Sequence, residues 1–307
     1  MTSPLEGMDL VVTGVDGFVG RHVARLARAA GARVHGLSRS PGVDDLLADV
    51  LASYRGLDLR AAWPQDVPAD AVIHLAGRSA VGPSFRHPQD YIADNSAIVT
   101  TMCESLLARG RPVRIVGVSS GAVYAAPADG TPVTEDAPTA ASSPYAVSKL
   151  LVERQLEYYR SRGLDTIVAR PFNHIGPGQG PGFLIPDLAM RLRALPDGEA
   201  LTAGNLETAR DYTDVRDVAQ AYLDLAAAAA PAHDVYNVAQ GISTSGRTIL
   251  ELLCAQLGRP VPRVIVDPAL IRPGDALRIA GSADRLREDL GWTPRHDLGE
   301  SIAAACA

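Results

Sequence analysis

The sequence has 307 residues, of which 47% are hydrophobic and 21% are charged, as is typical of a folded globular protein with one large or two unequal domains. A formal net charge of −6, an isoelectric point near 5.6 and the lack of any arginine cluster argue against nucleic acid or an anionic membrane surface as a partner. The first residues lead directly into a strand, and no apolar stretch reaches the length of a membrane span. We therefore expect a cytoplasmic protein with no signal peptide and no membrane anchor.

The cysteines and histidines indicate neither disulfide bonds nor a metal site. Cys103, Cys254 and Cys306 are odd in number, far apart and without CxxC spacing, so we expect reduced thiols, as in a cytosolic protein. The histidines lack the spacing of metal ligands, and the sequence predicts no metal site.

The first element is a short apolar strand over residues 9–13, followed by a glycine-rich turn and by helical periodicity that continues to Ala30. Glycines permit a tight turn and close approach of the backbone, and the amides at a helix N-terminus can bind a pyrophosphate. The order strand, glycine turn, helix therefore predicts a dinucleotide site whose first contacts are Gly14, Asp16, Gly17, Phe18 and Val19.

The next strand, over residues 33–37, ends at Ser38 and Arg39. In dinucleotide-binding folds this position carries an acid when the ribose 2′-hydroxyl is free, and a nearby arginine when it bears a phosphate. Ser38 and Arg39 therefore predict that NADP(H) is preferred, with NAD(H) possible. The alternative is that Arg39 is only a surface residue.

Four more strands are predicted, and they alternate with helices at a spacing typical of right-handed crossovers in a parallel, doubly wound sheet. They cover residues 56–59, 71–77, 113–118 and 164–169, with a helix over about 92–108. His74 lies within an apolar strand and is interpreted as a core histidine. Ligands bind at the carboxyl ends of such strands, so the expected cofactor contacts there are Asp58, Leu59, Leu75, Ala76, Gly77 and Pro171.

The second half of the chain begins with a change in composition. Residues 171–181 are too rich in glycine and proline for regular structure, which indicates a crossing into a second lobe. A helix over 213–230 and a strand over 235–238 return to the sheet, and a helix-rich tail follows from Thr248. We therefore predict an α/β fold: a Rossmann domain (1–171 and 212–239) and a smaller, discontinuous α/β substrate lobe (172–211 and 240–307).

Lys149 is the only lysine among 29 lysines and arginines, which indicates a need for a compact, titratable ammonium group. Pro144 can open a helix, and Tyr145 and Lys149 then lie one turn apart on one face. Acid or base chemistry by tyrosine near neutral pH needs a pKa shift of roughly three units, which a charge about 4 Å away can supply. The alternative is a surface pair that matches by chance.

The motifs Thr13-Gly14-x-x-Gly17-Phe18-x-Gly20, Ser120 and Tyr145-x-x-x-Lys149 occur in an order that resembles the extended short-chain dehydrogenase/reductases. This group contains nucleotide-sugar epimerases, dehydratases and reductases. The resemblance implies that Tyr145 exchanges a proton with a sugar oxygen to which Ser120 also hydrogen-bonds. It implies that Lys149 holds the nicotinamide ribose and lowers the phenol pKa. It also implies that Asn95 supports this network, unless that residue is an ordinary helix-surface asparagine.

Other stretches resemble the GDP-4-keto-6-deoxymannose reductases and related nucleotide-sugar 4-ketoreductases, namely residues 170–179, 209–218 and 271–275. This likeness implies that Arg210 and Arg272 clamp a diphosphate and that Asn173 touches the nucleotide. The loop that contains Ser79 and Val81 would face the hexose. Each arginine taken alone could instead form a surface ion pair.

The resulting hypothesis is NADPH-dependent reduction of the C4 ketone of a GDP- or dTDP-linked 4-keto-6-deoxyhexose, in deoxysugar biosynthesis. Gly121 and Ala122 follow Ser120 where the resembling sugar dehydratases carry an acidic pair, so dehydration is not expected. The alternatives are a nucleotide-sugar 4-epimerase with tightly bound NAD, and a non-catalytic dinucleotide-sensing module. The resemblance also implies a homodimer formed through the Tyr145 helix.

Overall fold

A computed structural model describes residues 3–271 and 276–306 of the chain. It contains thirteen strands: β1 Asp9–Thr13, β2 Arg33–Ser38, β3 Ser53–Gly56, β4 Ala71–His74, β5 Arg114–Val118, β6 Asp165–Pro171, β7 Asn173–Ile175, β8 Leu201–Ala203, β9 Ala209–Asp214, β10 Val235–Val238, β11 Ser243–Ser245, β12 Val264–Val266 and β13 Arg278–Ile279, all within the described ranges. The helices of the same ranges are α1 Phe18–Ala29, α2 Asp45–Ala48, α3 Val81–Ser84, α4 Pro88–Arg109, α5 Pro144–Ser161, α6 Leu184–Ala194, α7 Val215–Ala227, α8 Gly246–Gln256, α9 Asp284–Leu290 and α10 Leu298–Cys306.

Seven strands form one parallel sheet in the order β10-β6-β5-β4-β1-β2-β3. One apolar core packs α1, α7 and α9 against one face of this sheet, and another packs α4 and α5 against the other face. The predicted doubly wound parallel sheet is confirmed. In such a sheet the strand order reverses between β1 and β4, and a crevice for ligands opens at the carboxyl ends of the strands there.

The second part of the fold has its own core. Strand β9 pairs with β7, β11 and β13, and β8 pairs with β12. Helices α6, α8 and α10 bury leucine and isoleucine side chains against each other and against these short strands. The predicted boundaries between two lobes stay a prediction. However, Ala283, Leu286 and Trp292, which were predicted to lie in the smaller lobe, pack into the core of the seven-stranded sheet.

Two local predictions were wrong. The third strand is Ser53–Gly56 and not residues 56–59, because an edge strand with half-exposed side chains lacks the apolar signal of its neighbours. The glycine- and proline-rich stretch also contains a strand, Asn173–Ile175. This strand has only three residues and pairs with β9, so no local periodicity marks it.

Cys103, Cys254 and Cys306 all have free thiols, and the first two are buried. In the described ranges, no helix combines the length and the apolar character that crossing a membrane requires. Nor do His, Cys, Asp or Glu side chains in those ranges form a group of three or more that could hold a metal ion. The cytoplasmic location stays a prediction.

Candidate active site

A cavity of about 740 Å³ lies at the carboxyl ends of the large sheet. This volume is within the range of small-molecule and cofactor sites. Most of the residues predicted to contact ligands line it: Gly14, Asp16, Gly17, Phe18, Val19, Ser38, Arg39, Asp58, Leu59, Leu75, Ala76, Gly77, Ser79, Val81, Ser120, Tyr145, Lys149, Pro171 and Asn173. Asn95 and Arg210 do not line it, and Arg272 lies outside the described residues.

The glycine turn forms one wall of the cavity. Gly14 has a φ of +66°, and a Cβ atom there would lie 3.1 Å from the backbone of Ala76. A Cβ at Gly20 would lie 2.3 Å from the carbonyl oxygen of Gly14, so this turn tolerates no side chain at either position. Helix α1 starts directly after Gly17, which has no side chain to cap its amides, and no acidic residue lies in its first turn. These features fit a pyrophosphate at the N-terminus of α1.

The turn after β2 forms the end of the cavity where an adenosine ribose would lie. The Ser38 hydroxyl is bound to the Tyr54 hydroxyl at 3.0 Å and accepts the Ser40 amide at 3.1 Å. The Ser40 hydroxyl in turn donates to the Asp16 carboxylate at 2.6 Å. Arg39 is exposed and has no hydrogen bond or salt bridge with residues in the described ranges. Its charge helps to lower the pKa of the nearby Asp58, and its guanidinium can bind an added anion at this end of the cavity.

A chain of ion pairs borders the same end. Arg60 joins Asp58 at 2.6 Å to Asp94 at 2.7 Å, and Arg78 also contacts Asp94 at 2.7 Å. The bonds from Arg60 lower the pKa of Asp58 to about 2. Asp58 is thus ionised and already bonded to a neighbour, at a position that the sequence predicted to contact the cofactor.

Helix α5 brings the predicted acid/base pair to the cavity. Pro144 is the first residue of the helix, as the sequence predicts. The structure adds a cap, since the Ser143 hydroxyl accepts the Ala146 amide at 3.1 Å. Tyr145 is buried, and its phenol is hydrogen-bonded to Ser120. The Ser120 side chain is fixed because its Oγ also accepts the Ala122 amide at 3.1 Å.

Lys149 is buried one turn further along the helix. Its Nζ donates to the carbonyl oxygen of Val118 at 2.9 Å and lies 5.9 Å from the centre of the Tyr145 ring. Burial lowers the pKa of Lys149 to about 8. Burial raises the pKa of Tyr145, and the bond to Ser120 opposes this rise. Desolvation is the larger effect, so the structure does not show the expected lowering of the phenol pKa.

Asn95 lies behind the cavity wall. Its side chain accepts the Arg78 amide at 2.7 Å and donates to the Ser148 hydroxyl at 3.0 Å, which joins the loop after β4 to α5. A Cβ at Gly77, where φ is +146°, would lie 2.7 Å from the Asn95 Oδ1 atom. Asn95 therefore supports the loop and α5 and has no direct place on the cavity surface.

An ion pair that the sequence analysis missed ties α5 to the strand ends. Glu153 lies one turn beyond Lys149, and its two oxygens accept Nε and Nη2 of Arg170 at 2.9 and 2.6 Å. The Ser119 hydroxyl also donates to Glu153. All three side chains are buried. The regular spacing of Tyr145, Lys149 and Glu153 along one helix face was the available signal, but the partner on β6 required the fold.

The predicted substrate contacts are only partly brought together. Ser79, Val81 and Asn173 line the cavity. Arg210 on β9 is half-buried and donates to the carbonyl oxygen of Ala209 at 2.8 Å, and its side chain has further interactions. It is Tyr212, two residues along the same strand, that lines the cavity. The predicted diphosphate clamp therefore stays a prediction.

The structure has three features that the sequence predicted for a short-chain dehydrogenase/reductase. These are a parallel doubly wound sheet, a glycine turn after β1, and Ser120, Tyr145 and Lys149 in the lining of the cavity. The chain belongs to the NAD dependent epimerase/dehydratase family, whose sequence model matches residues 10–239.

Individual relatives include both reductases and epimerases. GDP-6-deoxy-D-mannose reductase from Pseudomonas aeruginosa is 36% identical over 300 residues, covering 96% of this chain and 95% of the relative. UDP-glucose 4-epimerase from Azospirillum brasilense is 30% identical over 334 residues, covering 95% of this chain and 89% of the relative. The structure of RMD from Pseudomonas aeruginosa complexed with NADPH has a TM-score of 0.81, 31% identity and 97% coverage of both chains.

The buried position of Lys149 predicts a pH-dependent stability. The unfolded chain keeps this proton up to its ordinary pKa of 10.5, whereas the folded chain releases it near pH 8. The contribution of Lys149 to the free energy of unfolding therefore rises with pH between these two values. Relative to Lys149→Met, the wild type should gain about 1 kcal/mol between pH 7 and pH 9. Urea unfolding of both proteins at the two pH values measures this gain, and a constant difference would contradict it.

Proposed function

We propose that this protein is an NADPH-dependent nucleotide-sugar 4-ketoreductase. It reduces the C4 ketone of a 4-keto-6-deoxyhexose linked to GDP or dTDP. The observation that carries the proposal is that Ser120, Tyr145 and Lys149 line the same cavity as the glycine turn. The similarity to a GDP-6-deoxy-D-mannose reductase over nearly the whole chain supports a reductase.

The residues present fit a dinucleotide. The uncapped amides of α1 suit its pyrophosphate, and the unpaired Arg39 suits a 2′-phosphate. When bound, the dihydronicotinamide supplies a hydride. The protein must then orient the ketone and provide one proton.

Tyr145 is the proposed proton donor to the oxygen at C4. Its raised pKa keeps the phenol protonated and ready to donate at neutral pH. Ser120, already bonded to the phenol, is placed to hydrogen-bond the same oxygen. Lys149 carries a positive charge that favours the phenolate left behind, because an opposite charge stabilises the ionised form. Its proposed second role is to hold the nicotinamide ribose.

The activity test measures the loss of NADPH absorbance with a 4-keto-6-deoxyhexose freshly generated on GDP or on dTDP, with NADH run separately. Tyr145→Phe removes the proton donor and should lower turnover by about 10²-fold or more, without weakening cofactor binding. Tyr158→Phe, a change at an exposed position of the same helix, is the matched control and should keep the wild-type rate. A Tyr145→Phe variant with the wild-type rate would rule out this mechanism.

Arg39 should decide the cofactor preference. Arg39→Ala removes the guanidinium proposed to bind the 2′-phosphate and should weaken NADPH binding about tenfold while leaving NADH binding unchanged, as charge-assisted hydrogen bonds of this kind suggest. Calorimetric titration of both cofactors measures the two affinities. Arg247→Ala, which removes an exposed arginine paired with Glu207, is the control. Equal losses for both cofactors would contradict a role for Arg39 in selecting the phosphate.

A nucleotide-sugar 4-epimerase is the second candidate, favoured by the similarity to UDP-glucose 4-epimerase. An epimerase of this kind uses tightly held NAD as oxidant and then as reductant, so NAD should copurify with it. Purified protein with bound NAD and no NADPH oxidation in any combination would favour the epimerase.

We also propose a homodimer formed through α5, where Tyr158 leaves an aromatic side chain 54% exposed. Two chains should then sediment together. Sedimentation equilibrium that gives the mass of one chain at micromolar concentration would contradict a stable dimer.

A further inference from the structure

Tyr222 on α7 is a fully buried side chain whose hydroxyl has no hydrogen-bond partner in the described part of the chain. Other buried tyrosines have partners: Tyr91 donates to the carbonyl oxygen of Ala80 at 2.6 Å, and Tyr124 to Asn237 at 2.7 Å. More than about nine in ten buried polar groups in native proteins are hydrogen-bonded, since an orphaned group loses its hydration without compensation. The Tyr222 hydroxyl therefore needs a partner from outside the described residues.

The position of Tyr222 indicates which ligand could supply that partner. The residue lines the large cavity, although α7 belongs mainly to the core beneath the sheet. Helix α7 packs against α1 and against β4 and β5, on one side of the crevice between β1 and β4. The phenol also lies within electrostatic range of Tyr145. Tyr222 is thus at the acid/base end of the cavity, away from the Ser38 and Arg39 end.

We propose that the Tyr222 hydroxyl is a binding contact for the nicotinamide end of the dinucleotide, hydrogen-bonded to its carboxamide group. The reacting ring must lie beside Tyr145 if that residue is to protonate the product, and this places the carboxamide within the same end of the cavity. A carboxamide has both a donor and an acceptor, so it can pair with a hydroxyl in either sense. Burial raises the pKa of Tyr222 well above its ordinary value, so the hydroxyl stays neutral in this role. The proposal rests on the proposed function only in that a dinucleotide binds.

Tyr222→Phe tests the contact because it removes the hydroxyl and keeps the ring. Calorimetry should show NADP⁺ bound about three- to tenfold more weakly by the variant, as expected for one lost hydrogen bond. Binding of 2′-phospho-ADP-ribose, which lacks nicotinamide, should be unchanged. The melting temperature of the ligand-free variant should not fall, because the hydroxyl has no partner to lose within the described residues.

Tyr236→Phe is the matched control. Tyr236 is also fully buried, but its hydroxyl donates to Asp289 at 2.6 Å and accepts the His233 amide at 3.0 Å. This variant should melt at a lower temperature and bind NADP⁺ as the wild type does. The proposal is overturned if Tyr222→Phe binds NADP⁺ like the wild type, or if it weakens both ligands equally. A wild-type protein that binds no dinucleotide would instead refute the proposed function itself.

Discussion

The buried ion pair between Glu153 and Arg170 is the interaction on which the geometry of the site depends. It joins α5, the helix that carries Tyr145, to the end of β6, and the Ser119 hydroxyl adds the end of β5. Removing one partner of such a pair leaves a buried, uncompensated charge and costs about 3–5 kcal/mol. The pair is therefore a strong constraint on position, whatever its net contribution to stability.

The same constraint determines the electrostatics around the lysine. Lys149 lies between two fixed points on its helix: Glu153 one turn on, whose negative charge favours the ammonium form, and Tyr145 one turn back. Desolvation acts in the opposite direction and is the larger effect on the pKa of Lys149. A lysine near its titration point is easily shifted by a nearby negative charge, which a phenolate or a phosphate can provide. The protonation of Lys149 should therefore change when a negatively charged ligand binds in the site.

The sequence predicted those features that are local in origin. The glycine turn, the start of α5 at Pro144 and the buried central strands each follow from a few neighbouring residues, and the structure has them in those places. Strand β7 depends on pairing with β9, and the Glu153 partner lies on β6, so tertiary contacts decide both. Tyr222 follows the apolar periodicity of a core helix, and no pattern separates it from an ordinary core tyrosine.

Position along a strand limited the predictions for the substrate end. The match to a diphosphate clamp gave residue types, and Arg210 and Tyr212, two residues apart on β9, share one face of that strand. Tyr212 lines the cavity, whereas Arg210 is half-buried, donates to the carbonyl oxygen of Ala209 and has further interactions. At the other end, both Ser38 and Arg39 line the cavity, but Ser38 is bonded to Tyr54 inside the fold, whereas Arg39 is exposed. Motif matching identifies the segments of a site more securely than the atoms.

The solitary buried lysine has a practical consequence for handling this protein. A protease that cleaves only after lysine has a single target bond in the entire sequence, between Lys149 and Leu150, in the middle of α5. In the folded protein that bond lies within a helix that packs against the large sheet, so cleavage must wait for the domain to open. One cut divides the chain into two pieces of nearly equal length. The rate at which a new band appears on a gel, near half the mass of the chain, therefore measures how often the domain opens.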